Sequence, residues 1–403
     1  MRVTARRPVV LEGAALSALL IIVHMTNDAF ASMLAALLPS LQVRFGLSET
    51  VLATLVATLS FSSSVTQPLF GALADAVGRR VVGAVGVITS SGLLSLMAIA
   101  PSVWVLYLLL AFGGLGSAAF HPSGTGLARD AARGQRGGTG LAVGIFSAGG
   151  TVGMAIGPLA IGVLVMNDWL SFSPWMMLPG LVLGGAMLVM APRQPPMRRG
   201  AGGRIFDPAL LRGPVGALAL AGILRGIAFV TVMNALPLLL VGARGVAPDA
   251  PVAFWSLTVF SLSAGLGGIL AGAVEPRVGR VRLITGSMLA GVPVLASLLV
   301  LPPGAPVFYL MIVAGGVLVN APLPLMIVSA QDLAPHAVGT ASGLMMGFTW
   351  GTAGVLYVGI GALQEWIGIP AAMMLAFLAL VPAAWLAGRT LHAHRDALDA
   401  AGD

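Results

Sequence analysis

Twelve runs of mostly apolar residues divide this chain, near 14–38, 50–70, 81–100, 103–128, 139–166, 174–191, 214–241, 252–273, 283–301, 306–330, 338–363 and 370–388. Each is near the roughly 20 residues that carry a helix across a bilayer. Of 403 residues only 9% are charged and 58% are hydrophobic, so most of the surface must face lipid rather than water. The 54 glycines fit the same picture. Helices in lipid gain no hydrophobic drive from touching, and small residues let their backbones approach closely. The expectation is an all-α integral membrane protein with twelve transmembrane helices.

Charge sets the orientation. The 21 basic residues are all arginine, and the net charge is +7. With both termini cytoplasmic, Arg44 and Arg244 fall outside and Arg225 within a span, which leaves 18 (21 − 3) on the cytoplasmic side. That asymmetry is the positive-inside rule, so the basicity is topological and no nucleic-acid partner is expected. Cysteine is absent, which excludes disulfides, thiolate metal sites and cysteine nucleophiles. The first 12 residues are too polar, and the run after them too long, for a cleaved signal peptide. The expected location is the bacterial inner membrane.

The chain repeats itself. GALADAVGRR at 71–80 aligns with GAVEPRVGRV at 272–281, an offset of 201. The same offset pairs Gly138-Thr139 with Gly339-Thr340, Gly150, Thr151 and Gly153 with Gly351, Thr352 and Gly354, and His24 with Arg225. Residues 193–213, rich in Pro, Gly and Arg, lie between the sixth and seventh runs and read as a cytoplasmic linker. The expected domains are a six-helix bundle over 1–192 and a second over 214–403. Such internal duplication is the architecture of transporters that alternate access around a site between two halves.

Two motifs sharpen this. The loop Gly71-Ala-Leu-Ala-Asp75-Ala-Val-Gly78-Arg79-Arg80 resembles the cytoplasmic signature of the major facilitator superfamily, G-x-L-a-D-r-x-G-r-r. The glycines suit a tight reversal, Asp75 can accept hydrogen bonds from the start of a neighbouring helix, and the arginines would hold the loop at the lipid face. The resemblance implies that Asp75 and Arg79 help latch the outward-open state; Ala76 stands where the family usually has a basic residue. Gly144, Gly153, Gly157 and Pro158, with Gly162 beyond, are similar to the family's antiporter pattern G-x8-G-x3-G-P-x2-G-G, with Ile161 replacing the penultimate glycine. These glycines, with Gly149 and Gly150, would flatten a helix face for packing against the other half, and Pro158 would bend the helix. HMTNDAFASMLAALLP in the first run, TQPLFGALAD, and GSAAFHPSGTGLA at 116–128 resemble the fosmidomycin-resistance branch, whose activity is drug/proton antiport. That resemblance implies a small polar or anionic substrate.

His24 and Asp28 stand in the middle of the first run, four residues apart and so on one helix face. An ionised group facing lipid there would cost at least ~2.5–3.5 kcal/mol, so the pair should face a cavity. Asp28 is the acid placed deep in a span, since Glu12 and Glu49 sit at ends. It is the expected proton carrier, or else a buried group bonded to His24 and fixing the first helix. His24 would tune it or titrate with it. His121, before Pro122, would be a cytoplasmic-side proton station or would bond the carbonyl that Pro122 leaves free. Arg225, at the position equivalent to His24, cannot shed its charge; Asp28 or an anionic substrate would supply the counter-charge. Asn27, Gln67, Asn234 and Asn320 would line the cavity, with Phe146 and Trp350 as apolar walls.

An enzyme would need clustered catalytic groups, and one deep acid with one nearby histidine supplies too little. No metal and no cofactor is expected, and the energy source is the proton gradient. The expected partners are a small-molecule substrate, protons and the lipid bilayer, with the chain acting as a monomer. A symporter, a uniporter and a transporter-like sensor would share this sequence pattern.

Overall fold

A computed structural model describes residues 10–132, 138–193, 208–395 and 398. Most of the 193–213 linker, Gly138-Thr139's side chains and most of the C-terminal tail therefore lie outside the described residues. Every regular element among the described residues is helical. Ten helical stretches are long and apolar enough to cross a membrane. They match the first, third to eighth and tenth to twelfth expected runs.

The other two positions are also helical. The ninth, α11 (Arg280–Ser297), carries Arg280 and Arg282 in its first turn. The second is broken into α2 (Glu49–Ser60), a π-helical turn (Phe61–Val65) and α3 (Gln67–Val77). Pro68 explains the break: it has no N–H to continue the ladder, and a proline suits only the first turn of a helix.

The first helix, α1 (Gly13–Phe45), packs along α6 (Gly138–Met166), and α4 (Arg79–Leu94) packs on α5 (Val103–Ala131). α7 (Met177–Met190) closes on α4. After the short α8 (Pro208–Leu211), α9 (Pro214–Leu238) packs on the later helix α15 (Thr349–Ile367). α10 (Pro251–Val278) packs on α12 (Pro306–Asn320). α13 (Pro322–Asp332), α14 (Val338–Gly343), α16 (Ile369–Leu378) and α17 (Leu380–Ala393) complete the chain.

The N-terminal and C-terminal helices meet chiefly at one end, opposite Gly13. There α2 lies on α15, and α6 on α10. The Thr50 backbone donates to Glu365 Oε1 at 2.8 Å, and Thr258 Oγ1 donates to the Ala155 carbonyl at 2.7 Å. Small residues allow this closeness: a Cβ on Gly354 would strike the Ser60 side chain, and one on Gly361 would lie 2.8 Å from the Glu49 carbonyl. The contact runs down to Gly347, whose Cβ would lie 3.4 Å from Gln67 Oε1. Beyond it, Gly343 and Gly339 face open space. The helices are therefore closed together at the Phe45 and Ile367 end and part towards the other.

Two π-helical turns, Phe61–Val65 and Leu344–Phe348, face each other where the contact ends. Such turns leave backbone carbonyls less tightly committed and often mark functional positions.

Candidate functional site

A cavity of about 430 Å³ lies between the N-terminal and C-terminal helices. One wall carries hydroxyls: Ser60, Ser63 and Ser64 around the first π turn, with Ser117, Ser147 and Thr151 from α5 and α6. The facing wall is mostly apolar, with Phe229, Met233 and Trp350. Gln67, Asn234 and Asn320 line it as expected, as do His24, Asp28 and His121. The Ser62-Ser63-Ser64 run was the sequence signal for the hydroxyl wall, and it was missed.

The three ionisable groups form one cluster. Asp28 Oδ2 lies 3.2 Å from His24 Nε2, and Asp28 Oδ1 lies 3.2 Å from His121 Nε2. Asp28 keeps 15% of its side chain exposed and His121 26%, so the cluster is reached from the cavity while shielded from lipid. Each ring is anchored from behind. His24 Nδ1 is 2.8 Å from the Phe146 carbonyl, and His121 Nδ1 is 2.8 Å from the Ser117 carbonyl. One ring nitrogen from each histidine and one Asp28 oxygen lie within 4.8 Å of one another, so the three groups act on each other directly.

His121 joins the other two because α5 packs against α1 and brings its ring to Asp28. It does not bond the carbonyl freed by Pro122, since its partner is Ser117, one residue earlier. Asn27 does not line the cavity. It is fully buried, and its Nδ2 donates to Asp28 Oδ1 at 3.0 Å and to Ser117 Oγ at 2.9 Å. Phe146 is not a cavity wall either: it is buried and stacks on the His24 ring, centroids 4.2 Å apart. Both residues hold the cluster in shape.

Arg225 departs furthest from expectation. It is 0% exposed, and its Nη1 donates to the Val319 carbonyl at 3.1 Å and to Asn320 Oδ1 at 3.3 Å. Its guanidinium lies 5.8 Å from the Trp350 ring centre. Among the described residues Nε and Nη2 have no hydrogen-bond partner. No Arg225–Asp28 ion pair is present, since Asp28 is taken by the two histidines. Such a pair, exchanged for an anionic substrate, would leave Asp28 to bind a proton together with that substrate, the sign of symport rather than exchange. Asn320 is the link between Arg225 and the cavity.

The α6 glycines pack within the N-terminal helices rather than against the other half. A Cβ on Gly149 would lie 2.9 Å from the Ile21 side chain, and those on Gly153 and Gly157 would strike the Met25 and Ala29 carbonyls of α1. A Cβ on Gly150 would lie 2.5 Å from Asp28 Oδ2 and 2.6 Å from His24 Nε2. Gly144 faces open space, and Pro158 lies inside α6. Only Gly162 abuts the other half, at Phe254 of α10.

At the opposite end of α3, Gly78 makes the reversal with φ 113°, which favours glycine. Gly71 lies within α3 and makes no turn. Arg79 is not at the lipid face: it bridges Asp75 (3.3 Å) and Asp130 (3.1 Å) and lies over Gly126. Arg80 donates to the Ala191 carbonyl at 3.4 Å. The repeat reproduces this, with Gly279 at φ 87° and Arg280 bridging Glu275 (3.3 Å) and Asp332 (2.7 Å). The aligned segment 272–281 carries both Arg280 and Glu275, but Asp332 lies 52 residues beyond Arg280, so sequence spacing alone does not join the three.

Comparison with known proteins agrees with this architecture. The Major Facilitator Superfamily profile matches residues 20–358. The MFS-type transporter YfnC of Bacillus subtilis is 30% identical over 372 residues, covering 89% of this chain and 88% of its own length. The fosmidomycin resistance protein of Escherichia coli is 28% identical over 356 residues, covering 85% and 84%. Among solved structures, the nucleoside transporter NupG superposes with a TM-score of 0.73 at 13% identity, covering 93% of this chain and 99% of its own. A bacterial homologue of the lysosomal transporter Spinster, inward-facing and occupied, gives a TM-score of 0.73 at 14% identity, covering 95% and 98%. The chain belongs to the Major Facilitator Superfamily, and it is a multi-pass membrane transporter rather than an enzyme.

Proposed function

We propose that this Major Facilitator Superfamily member is a proton-coupled exporter of a small polar compound carrying an anionic group, working by alternating access in the bacterial inner membrane. The observation that carries the reading is Asp28: a carboxylate deep in the membrane, open to the cavity and flanked at 3.2 Å by two histidines. An ionisable group at that depth is costly unless it serves a pathway. A compound that donates hydrogen bonds to the Asp28 oxygens would displace the protonated histidines, so substrate and protons would exclude each other. The anionic group would lie towards Asn320, with Arg225 behind it as the counter-charge.

Alternating access follows from the closed and open ends. The arginine distribution supports cytoplasmic termini, and the parted end then faces the cytoplasm. Residues up to 192 and from 214 would then move as two bodies, bending at the facing π turns. In this state Asp75, 45% exposed and bonded to Arg79 of its own half, is disengaged as a latch. Export is supported by the Gly144–Pro158 pattern and by the Escherichia coli relative named for fosmidomycin resistance.

Reconstituted vesicles test this. Fosmidomycin flux should be driven by an imposed pH gradient in the opposite direction and should stop in Asp28→Asn. Flux in the same direction as the protons would replace exchange by symport. Flux indifferent to pH would refute proton coupling.

A further inference from the structure

The hydrogen bonds behind the two histidines dictate where hydrogens sit in front of them. A carbonyl oxygen only accepts, so the Nδ1 atoms facing the Phe146 and Ser117 carbonyls must both carry hydrogen. A neutral histidine has one N–H, so each neutral ring would turn a bare lone pair on Nε2 towards Asp28. If both rings were neutral and Asp28 ionised, each 3.2 Å contact would set lone pair against lone pair. Neither would then be a hydrogen bond. One proton cannot repair both contacts, because His24 addresses Oδ2 and His121 addresses Oδ1.

From this geometry we infer that the cluster holds two protons, one in each Nε2–carboxylate contact, and that each transport cycle therefore exchanges two protons. This rests on the reading of His24, Asp28 and His121 as the proton-carrying site. Loaded, the cluster bears two imidazolium rings and one carboxylate, a net +1. Unloaded, it bears −1, stabilised by Asn27 Nδ2, which donates to Oδ1 whatever the protonation state.

Among the described residues, the helices around the cluster bring no other titratable group to it. α6 and α7 contain no ionisable side chain. α4 brings only Arg79 and Arg80 at its start, α2 only Glu49 at its start, and α10 only Glu275 and Arg277 at its far end. On α5, besides His121, Tyr107 bonds Thr54, and Arg129 and Asp130 lie in the last turn. From α9 the one charge is Arg225, held by Val319 and Asn320. Both protons must therefore come from and return to the cavity, and the α6 backbone at Gly150 lies close against Asp28 and His24.

The test is the nitrogen-15 spectrum of full-length, EDTA-treated protein labelled at histidine, read across pH, with rings assigned by His24→Asn and His121→Asn. Both rings are expected to pass from doubly protonated to the neutral form bearing hydrogen on Nδ1 over one shared pH interval. In Asp28→Asn both should be neutral where the wild type is charged. A ring that stays neutral while the other is charged would overturn the two-proton store, as would a neutral ring with its hydrogen on Nε2. A one-proton cluster with intact proton-driven fosmidomycin flux would leave the functional reading standing. Absent flux with both rings titrating together would refute that reading alone.

Discussion

Gly150→Ala would place a methyl group inside the cluster of His24, Asp28 and His121. The built carbon lies 2.5 Å from Asp28 Oδ2 and 2.6 Å from His24 Cε1 and Nε2, against an ordinary contact of at least 3.4 Å. The deficit is 0.9 Å (3.4 − 2.5). Backing α6 away as a whole would open the close packing of Gly153 and Gly157 on the α1 carbonyls. The less disruptive outlet is rotation of Asp28 or His24, which breaks their contact. Overpacking of this kind costs about 1–3 kcal/mol, equivalent to roughly a 5- to 150-fold loss of coupled flux. Gly185→Ala is the control, because it lies inside α7, away from the cluster, and meets nothing within 4 Å. There alanine should gain about 0.5–1 kcal/mol of helix stability and leave flux unchanged. The assay is proton-driven flux in vesicles with thermal unfolding of both variants. Equal flux in Gly150→Ala and Gly185→Ala would refute the close-packed cluster.

Other perturbations separate the remaining roles. Arg225 is a buried cation with two orphaned nitrogens, so Arg225→Met should unfold at the same temperature or higher, while the proposed flux of an anionic compound is lost. A large fall in unfolding temperature would make Arg225 structural instead. Arg79→Ala removes partly exposed pairs with Asp75 and Asp130 and should cost at most about 1 kcal/mol in thermal stability. Gly354→Val would drive a side chain into Ser60 and hold the closed end apart. A cysteine introduced as Ser147→Cys in the cysteine-free chain should then be labelled from outside by an impermeant maleimide; unchanged labelling would place the gate elsewhere.

The fold was legible because lipid imposes a coarse rule: a helix must be long and apolar, and twelve such runs can be read directly. The second and ninth positions blurred for local reasons, a Pro68 break and two arginines at the start of α11. His24 and Asp28 were readable as a pair because four residues make one helical turn. His121 could not be joined to them, since only packing of α1, α5 and α6 brings their atoms together. Arg225 misled because depth in a span does not say which way a side chain points. Its guanidinium turns to Val319 and Asn320 behind the wall, so matching depth with Asp28 became no contact at all. The glycines misled in the same way: spacing showed a smooth face on α6, but the face meets α1.

The most direct test of the central claim is proton release from purified, detergent-solubilised protein on addition of fosmidomycin, in the wild type and in Asp28→Asn. The account predicts release in the wild type and none in the variant. Fosmidomycin binding, shown independently, with no release or with proton uptake would contradict exchange between substrate and protons at Asp28.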